Sequence, residues 1–521
     1  VFCMESEEKV IAINGRPRQL IGRKRIYSRY KNIDRNNLLE VLDKAMNIHR
    51  ENVKEMKFLI EYERGKQPLV RPKTIRPDID IRVHANLANY VKEFKIAYNW
   101  GNPVTMVQRG NKELHDTDSS TDDSGISALN ETLINGENIG WLDQCMAEFV
   151  EVCGIGHRMV DIKTDDWDDG SLVDLYTLDS QYAFVVYYDG PGQKKVLGVS
   201  FSCRDGSEYF TCYTDKSRFE VENGEIVSEE KNPLEKIPIV EYERAFDRTG
   251  CFEREIARMD ALNVLLSDFT NDVAQRTQEI WWADNVSFID KDGKSRSPKS
   301  GEWVCTFSDD GKVSKIQPLS STFDGSSTLN AIQTTRTEIL QDCKIPLQYD
   351  NSGGGSTGSA TDMSAGWSAT ELDAVREQQM IAHGKREELS LILKAIAKVP
   401  ERKLPMDAPI RLIHTSDIDL HFTRKKNTDM SVKANTFATY FNAGIHPRHI
   451  LKMVDAFEDT EQVYLDSKDM LDALQENMKS SGSASDASQE HNFNTSGDPI
   501  NQTGNSPIID GMNTDDSKVQ S

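Results

Sequence analysis

The stretch that most limits how this chain can fold is FEREIARMDALNVLLSDFTNDVAQRTQEI, Phe252 to Ile280. It holds no Gly or Pro, so nothing in its backbone interrupts a single helix of roughly 40 Å at 1.5 Å per residue. Met259, Leu266, Val273 and Ile280 recur every seventh residue, with Leu262 and Phe269 as a second line. That period predicts a helix packed lengthwise on another. Asp260, Asp268, Asp272 and Glu279 lie around the rest of the cylinder and leave it wet and acidic.

A partner helix follows after a short interruption. Trp281 to Ser321 contains VSFID, GEWVCTF and VSKIQPL separated by KDGK and DDGK, three β-rich runs with two Asp-Gly turn signals. The returning helix is predicted from near Ser326, with Leu329, Ile332, Ile339 and Cys343 on one stripe, and it ends before Pro346. Taken alone, this unit is a helical hairpin with a decorated loop.

The chain's 521 residues allow about three or four domains. No stretch approaches the roughly eighteen apolar residues of a membrane span, so a soluble protein is expected, with no membrane partner. The start, VFCMESEEKVIAI, is too acidic for a signal peptide. Eight scattered cysteines with no C-x-x-C point to reduced thiols in place of a disulfide framework. Acidic residues outnumber basic ones 84 to 62, a net charge of −22. Tight nucleic-acid binding needs concentrated basic surface, and here it is limited to Arg16–Arg29 and Arg424–Lys426. Such a chain mostly repels DNA.

In order, Leu38 to Met46 and Val53 to Ile60 read as amphipathic helices ending at YERGKQP, and a third helix is predicted from Val83 to Trp100. His115 to Gly125 is a polar loop, Trp141 to Cys153 a helix, and GIGHRMVDIK a strand. From Leu172 to Val240 the period becomes two, with Asp-Gly, Pro-Gly and Asn-Gly turns, which describes an antiparallel meander. YDNSGGGSTGSATDMSAG cannot bury a core and reads as a flexible loop. A helix resumes at Ala369 and runs to about Ala397 with Leu372, Val375, Ile381, Leu389, Ile392 and Leu393 inward, RLIHTSDIDLHF reads as a strand, and short helices follow between Val432 and Met478. The tail from Ser480 reads as disordered. The fold class is α+β.

Few fragments suggest chemistry. DDWDDG at Asp165 to Gly170 places Trp167 and Tyr176 where a calcium loop needs ligands, so it reads as an acidic turn. His414, Asp417, Asp419 and His421 could supply metal ligands, but on a strand His414 faces away from the other three. A metal-dependent phosphoesterase built on that cluster is the rival enzymatic reading. There is no phosphate loop, H-E-x-x-H or nucleophile elbow, so no catalytic residue, metal site or cofactor is expected. Trp281 and Trp282 either pack the base of the β-rich segment or anchor a partner.

Several motifs follow one another in a fixed order: YERGKQP at Tyr62 to Pro68, ANLANYVKEFKIAYNWGNPVTM at Ala85 to Met106, GIGHRMV at Gly154 to Val160, YTLDSQYAFVVYYDG at Tyr176 to Gly190, KIPIVEYER at Lys236 to Arg244 and LNVLLSDFTNDV at Leu262 to Val273. Together, over roughly residues 35 to 475, they resemble the portal proteins of tailed double-stranded DNA bacteriophages, in particular the family of long-tailed phages of Gram-positive hosts. An adaptor or minor head protein is the alternative within the virion, although these are smaller and lack the central unit.

The resemblance implies a ring, usually of twelve copies, at one capsid vertex of the virion, assembled in the host cytoplasm. DNA is packaged and ejected through its tunnel without sequence specificity. It implies an N-terminal extension (1–35), a wing (36–251 and 369–431), a stem (252–280 and 322–345), a clip (281–321), a tunnel loop within 346–368, a crown (432–479) and a tail (480–521). The partners implied are the terminase large subunit, a head-tail adaptor, and the major capsid and scaffolding proteins. Tunnel-loop residues would be Asn351, Ser352, Gly353, Gly354, Gly355, Ser356, Thr357, Gly358 and Ser359. Asp260, Asp268 and Asp272 would face the tunnel, and Trp281 and Trp282 would contact partners at the clip. One departure is that Thr357-Gly358 is followed by SATDMSAGWSA where the family shows a second Ser-Gly. The physics agrees, since an acidic wall lets DNA slide where fixed basic sites would grip it.

Overall fold

The computed structural model describes residues 22–69, 79–108, 124–164, 171–276 except 205, 281–284, 315–318, 325–347, 366–400, 410–424 except 423, and 430–454, with a few positions at 404 and 463–471. The chain divides into two compact units between Lys426 and Asn427. In the first unit, α1 (Leu38–Glu63) spans two cores. Its first half places Leu38, Val41, Leu42, Ala45 and Met46 against Phe184, Val186, Leu197 and Phe219 of a β-sheet. Its second half places Val53, Met56, Leu59 and Tyr62 in a separate helical core. At 26 residues the helix is about 39 Å long, enough to bridge both.

The expected single meander is two sheets. Six strands pair in the order β1 (Ile26–Ser28), β5 (Ala183–Tyr188), β6 (Lys195–Arg204), β7 (Ser207–Tyr213), β8 (Ser217–Glu222) and β9 (Glu225–Lys231). A smaller sheet pairs β10 (Ile239–Glu243), β3 (Ile155–Ile162) and β4 (Val173–Leu178). The sheets stack. Phe184 and Val186 of β5 face α1, and Val185 between them packs with Met159, Ile237 and Ile239 on the other side. Alternate side chains of one strand point to opposite faces, which is why AFVVYY is apolar almost throughout. Close approach is kept open at Gly198, where a Cβ would lie 2.7 Å from Ile237. β1 was not expected from the sequence, being three residues long without a periodic pattern, and it runs parallel to β5 with Ile26 opposite Val186.

The outer face of the small sheet is covered by α4 (Ile139–Cys153) and by α7 (Trp367–Ile396). Here the helix faces differ from expectation. Ile381, Leu389 and Ile392 are buried, but Leu372 is 73% exposed and Val375 is exposed as well. Towards the small sheet α7 turns Glu377, Lys385 and Glu388. Lys385 Nζ is 2.7 Å from Asp143 of α4 and 3.0 Å from Glu388, and Arg158 of β3 is 2.8 Å from the same Asp143. Tyr242 of β10 donates its hydroxyl to Glu388. A second cluster holds Glu151 3.2 Å from Arg244, with Trp100 Nε1 donating to Glu151 and Lys95 2.6 Å from Asp373. Burial, with Glu151 beside it, pushes the Glu377 carboxyl well above the ordinary carboxylate range, against the opposing pull of Arg244. Charges buried in this way need partners, and these come from distant parts of the chain.

The remaining described elements are α2 (Leu87–Asn99), β2 (Thr105–Gln108), α3 (Ser124–Glu131), α5 (Ile256–Arg276), β11 (Trp281–Asp284), β12 (Lys315–Pro318), α6 (Gly325–Asp342) and β13 (Ile418–His421). β13 pairs with β2, and β11 with β12, both antiparallel. The third helix thus starts four residues later than Val83, and Asn86 before it has a left-handed backbone with φ of +38°. Among the described cysteines 145, 153, 212, 251 and 343 are free, whereas Cys203 is disulfide-bonded, a departure from the expected thiols. Among the described residues no helix is long and apolar enough to cross a membrane. The second unit contains α8 (Met430–Asn442) and α9 (Pro447–Val454), with Phe437 and Phe441 stacked.

His49, in the middle of α1, is 1% exposed, with Nε2 3.0 Å from the Gln181 carbonyl and its ring 4.6 Å from that of Phe184. Burial pushes its pKa down to about 4. Between the ordinary value near 6.5 and about 4, the unfolded chain therefore binds a proton that the folded chain refuses. Stability is expected to fall as pH drops through that window, by about 3 kcal/mol at its acid end. Urea titrations at pH 7 and 4.5 on wild type and His49→Gln check this; equal acid losses in both would remove His49 as the cause.

Candidate functional site

The site is the helical hairpin α5–α6 and the strand pair at its end. α5 begins with a 3₁₀ turn at Glu253–Glu255 and is helical to Arg276, inside the expected Phe252 to Ile280. At 100° per residue its side chains fall into three rows. Met259, Leu262, Leu266 and Phe269 form one, packed in a core that also holds Ile332, Ile339, Leu340 and Cys343 of α6. Arg258 pairs with Asp342 to tie the start of one helix to the end of the other. Val273 and Leu329, expected on this seam, are 45% and 44% exposed. The core stops short of them because α1 and α2 close it only at the other end of the hairpin, nearer Ile256 and Cys343.

The second row is polar and fully engaged. Tyr62 Oη donates to Asp260 at 2.8 Å. The amides of Ala85, Val83 and Ile81 donate to Asn263 Oδ1, Ser267 Oγ and Asn271 Oδ1 at 2.9, 3.0 and 2.8 Å. Asn271 Nδ2 returns a bond to the Ile81 carbonyl at 3.1 Å. Burial raises the Asp260 carboxyl above its ordinary range, opposed by the Tyr62 hydrogen bond. Asp260 therefore lies against α1, on a different row from Asp268 and Asp272.

The third row continues the exposed Ala257 and Ala261 through Asp268 and Asp272, both partly exposed. Beyond α5 the backbones of Trp281 and Trp282 lie in β11, opposite Pro318 and Gln317 of β12. The tunnel-loop candidates Asn351 to Ser359 lie outside the described residues, as do DDWDDG, the centre of the β-rich segment and the tail from Ser480.

The other chemical candidate takes a structural form. Asp417 accepts from the backbone amide of His414 and closes a capping box around the short 3₁₀ turn before β13. Among the described residues no group of three or more His, Cys, Asp or Glu is placed to hold a metal ion. The polar row Asn263, Ser267, Asn271 was missed by sequence reasoning. Its signal was present, in three short polar side chains at i, i+4 and i+8 inside a helix, where such residues are poor formers.

With this geometry in view, comparison with known families matches residues 13–480 to the family described as phage portal protein, SPP1 Gp6-like. The chain is a member of the phage portal protein family. Among solved structures, it is similar to a chain titled "Neck of empty GTA particle computed with C6 symmetry", at 10% identity and a TM-score of 0.40, covering 75% of this chain and 95% of that one. No curated protein matches its sequence. As a portal protein, this chain is a structural component of a phage virion and acts as a head-tail connector. α5 and α6 lie within the ranges expected for the stem, and β11 and β12 within the range expected for the clip.

Proposed function

We propose that this portal protein closes into a ring of about twelve copies whose α5 carboxylates line a channel for double-stranded DNA. The observation that carries this reading is the division of α5 into three rows. One is taken by α6, one by Tyr62 and the 79–86 segment, and the third bears Asp268 and Asp272 in line with the exposed Ala257 and Ala261. The exposed Leu372 and Val375, on a helix that keeps carboxylates inside, fit a face covered by a neighbouring copy. The clip, starting at Trp281 and Trp282, would meet the terminase large subunit and later the head-tail adaptor. Major capsid and scaffolding proteins would surround the wing, in a virion assembled in the host cytoplasm. Asn351 to Ser359 would form the narrowest part of the channel.

Native mass spectrometry of the purified chain is expected to show a ring. Asp268→Lys/Asp272→Lys is expected to leave that ring intact and to lower the DNA packaged per procapsid by at least tenfold, because lysines would grip each phosphate. Normal filling by this variant would remove both residues from the channel wall. A stable dimer with bound metal would favour the phosphoesterase reading instead.

A further inference from the structure

Residues 79–85 run antiparallel to α5 as an extended segment held by a ladder of matched rungs, and Asn86 turns into α2 with a left-handed backbone. Four residues of helix advance about 6.0 Å and two residues of extended chain about 6.6 Å, so side chains at 263, 267 and 271 meet the amides of 85, 83 and 81 in register. Apolar burial contributes little here. Asp80, Ile81, Arg82, His84 and Ala85 are exposed, while Ile79 is buried and Val83 half-buried. The segment is anchored at its far end, where Asn263 Nδ2 donates to Gln67 Oε1 and Gln67 Nε2 donates to Asn86 Oδ1 at 3.0 Å. There α2 starts, with Leu87, Ala88 and Val91 buried.

We propose that residues 79–86 are a releasable strap on the stem, and that letting go of Asn263, Ser267 and Asn271 is a step that DNA passage requires. When the strap lifts, the freed amides and side chains are rehydrated at the surface, so opening exposes little apolar surface beyond Ile79. The apolar seam between α5 and α6 stays intact. What changes is the hold of α1 and α2 on α5, because Asp260 and Tyr62 are then the main polar tie left between them. The strap's side of the ladder is backbone, so its grip depends on the helix side chains and not on which residues the strap carries.

The inference rests on the portal reading, and the test separates the two. Val83→Cys/Ser267→Cys in the full-length protein, assembled into procapsids, cross-links the strap to α5 on oxidation. Oxidised rings are expected to package at least tenfold less DNA than the same rings after reduction, and oxidation of the Val83→Cys single variant is expected to leave packaging unchanged. Oxidised, cross-linked rings that package normally would overturn the strap proposal. Wild-type rings that never package DNA would overturn the portal reading instead. Should the double variant not assemble, hydrogen exchange on the wild-type ring decides. The amides of Ile81, Val83 and Ala85 are expected to exchange at least a hundredfold faster than those of Leu197 and Val199 in the sheet, and equal protection would sink the proposal.

Discussion

Arg158→Met is expected to destabilise the first unit by about 3–5 kcal/mol, the cost of leaving buried charges without their partner. Arg158 has no exposed side-chain surface and shares with Lys385 the two carboxylates of Asp143 and Glu388. Two cations and two anions balance in this cluster, and deleting one cation leaves a net negative charge between α4, α7 and the small sheet. Adding Asp143→Asn to Arg158→Met should restore the balance, so the double variant is expected to lose clearly less than the sum of the singles. Thermal unfolding of the four proteins measures this. Additive losses would mean that the cluster is a set of independent contacts.

Gly154→Ala should be nearly as damaging, for a different reason. Gly154 ends α4 with φ of +78°, and its amide donates to the Val150 carbonyl. An alanine Cβ there would lie 2.2 Å from the Arg248 carbonyl oxygen and 2.8 Å from the Thr249 carbonyl carbon, all backbone atoms. No rotamer change relieves such a clash, so its cost of about 1–3 kcal/mol adds to about 1 kcal/mol for the left-handed backbone. Gly224, in the turn between β8 and β9, has φ of +84° with nothing near its missing Cβ. Gly224→Ala is therefore expected to lose only about 1 kcal/mol. Equal losses at the two glycines would show that the close approach of residues 248 and 249 to α4 is not rigid.

Much of the β-rich stretch from 172 to 240 was legible because its signals are local. The alternation through YTLDSQYAFVVYYDG and the Asn223-Gly224 turn need only neighbours in sequence, and β4 to β9 formed where expected. Membership of one sheet or two was not legible, since β3 and β10 find each other across more than seventy intervening residues. Leu372 and Val375 were misplaced for a similar reason. Hydrophobicity assigns them inward, but Asp143, Arg158 and Tyr242 supply ion and hydrogen-bond partners that turn Lys385 and Glu388 to the inside. In α5, the apolar row through Met259 and Leu266 was readable from the seven-residue repeat, and the exposure of Val273 was not. The separation of Asp260 from Asp268 and Asp272 was not, because it depends on Tyr62 and on a segment that bonds through its backbone.

The pairing of β1 with β5 also sets an order of events during synthesis. Ile26 leaves the ribosome early, yet its partner Val186 and the Glu253 that binds Arg23 come much later, the latter 230 residues on. At about 5–20 residues per second, the first strand waits roughly 10 to 45 s for those partners. Once β5 to β9 have been made they can pair by hairpins, and β5 stays an open edge until β1 is seated on it. The N-terminal strand then covers that edge of the large sheet, the place where a slow chain is most exposed to pairing with another copy.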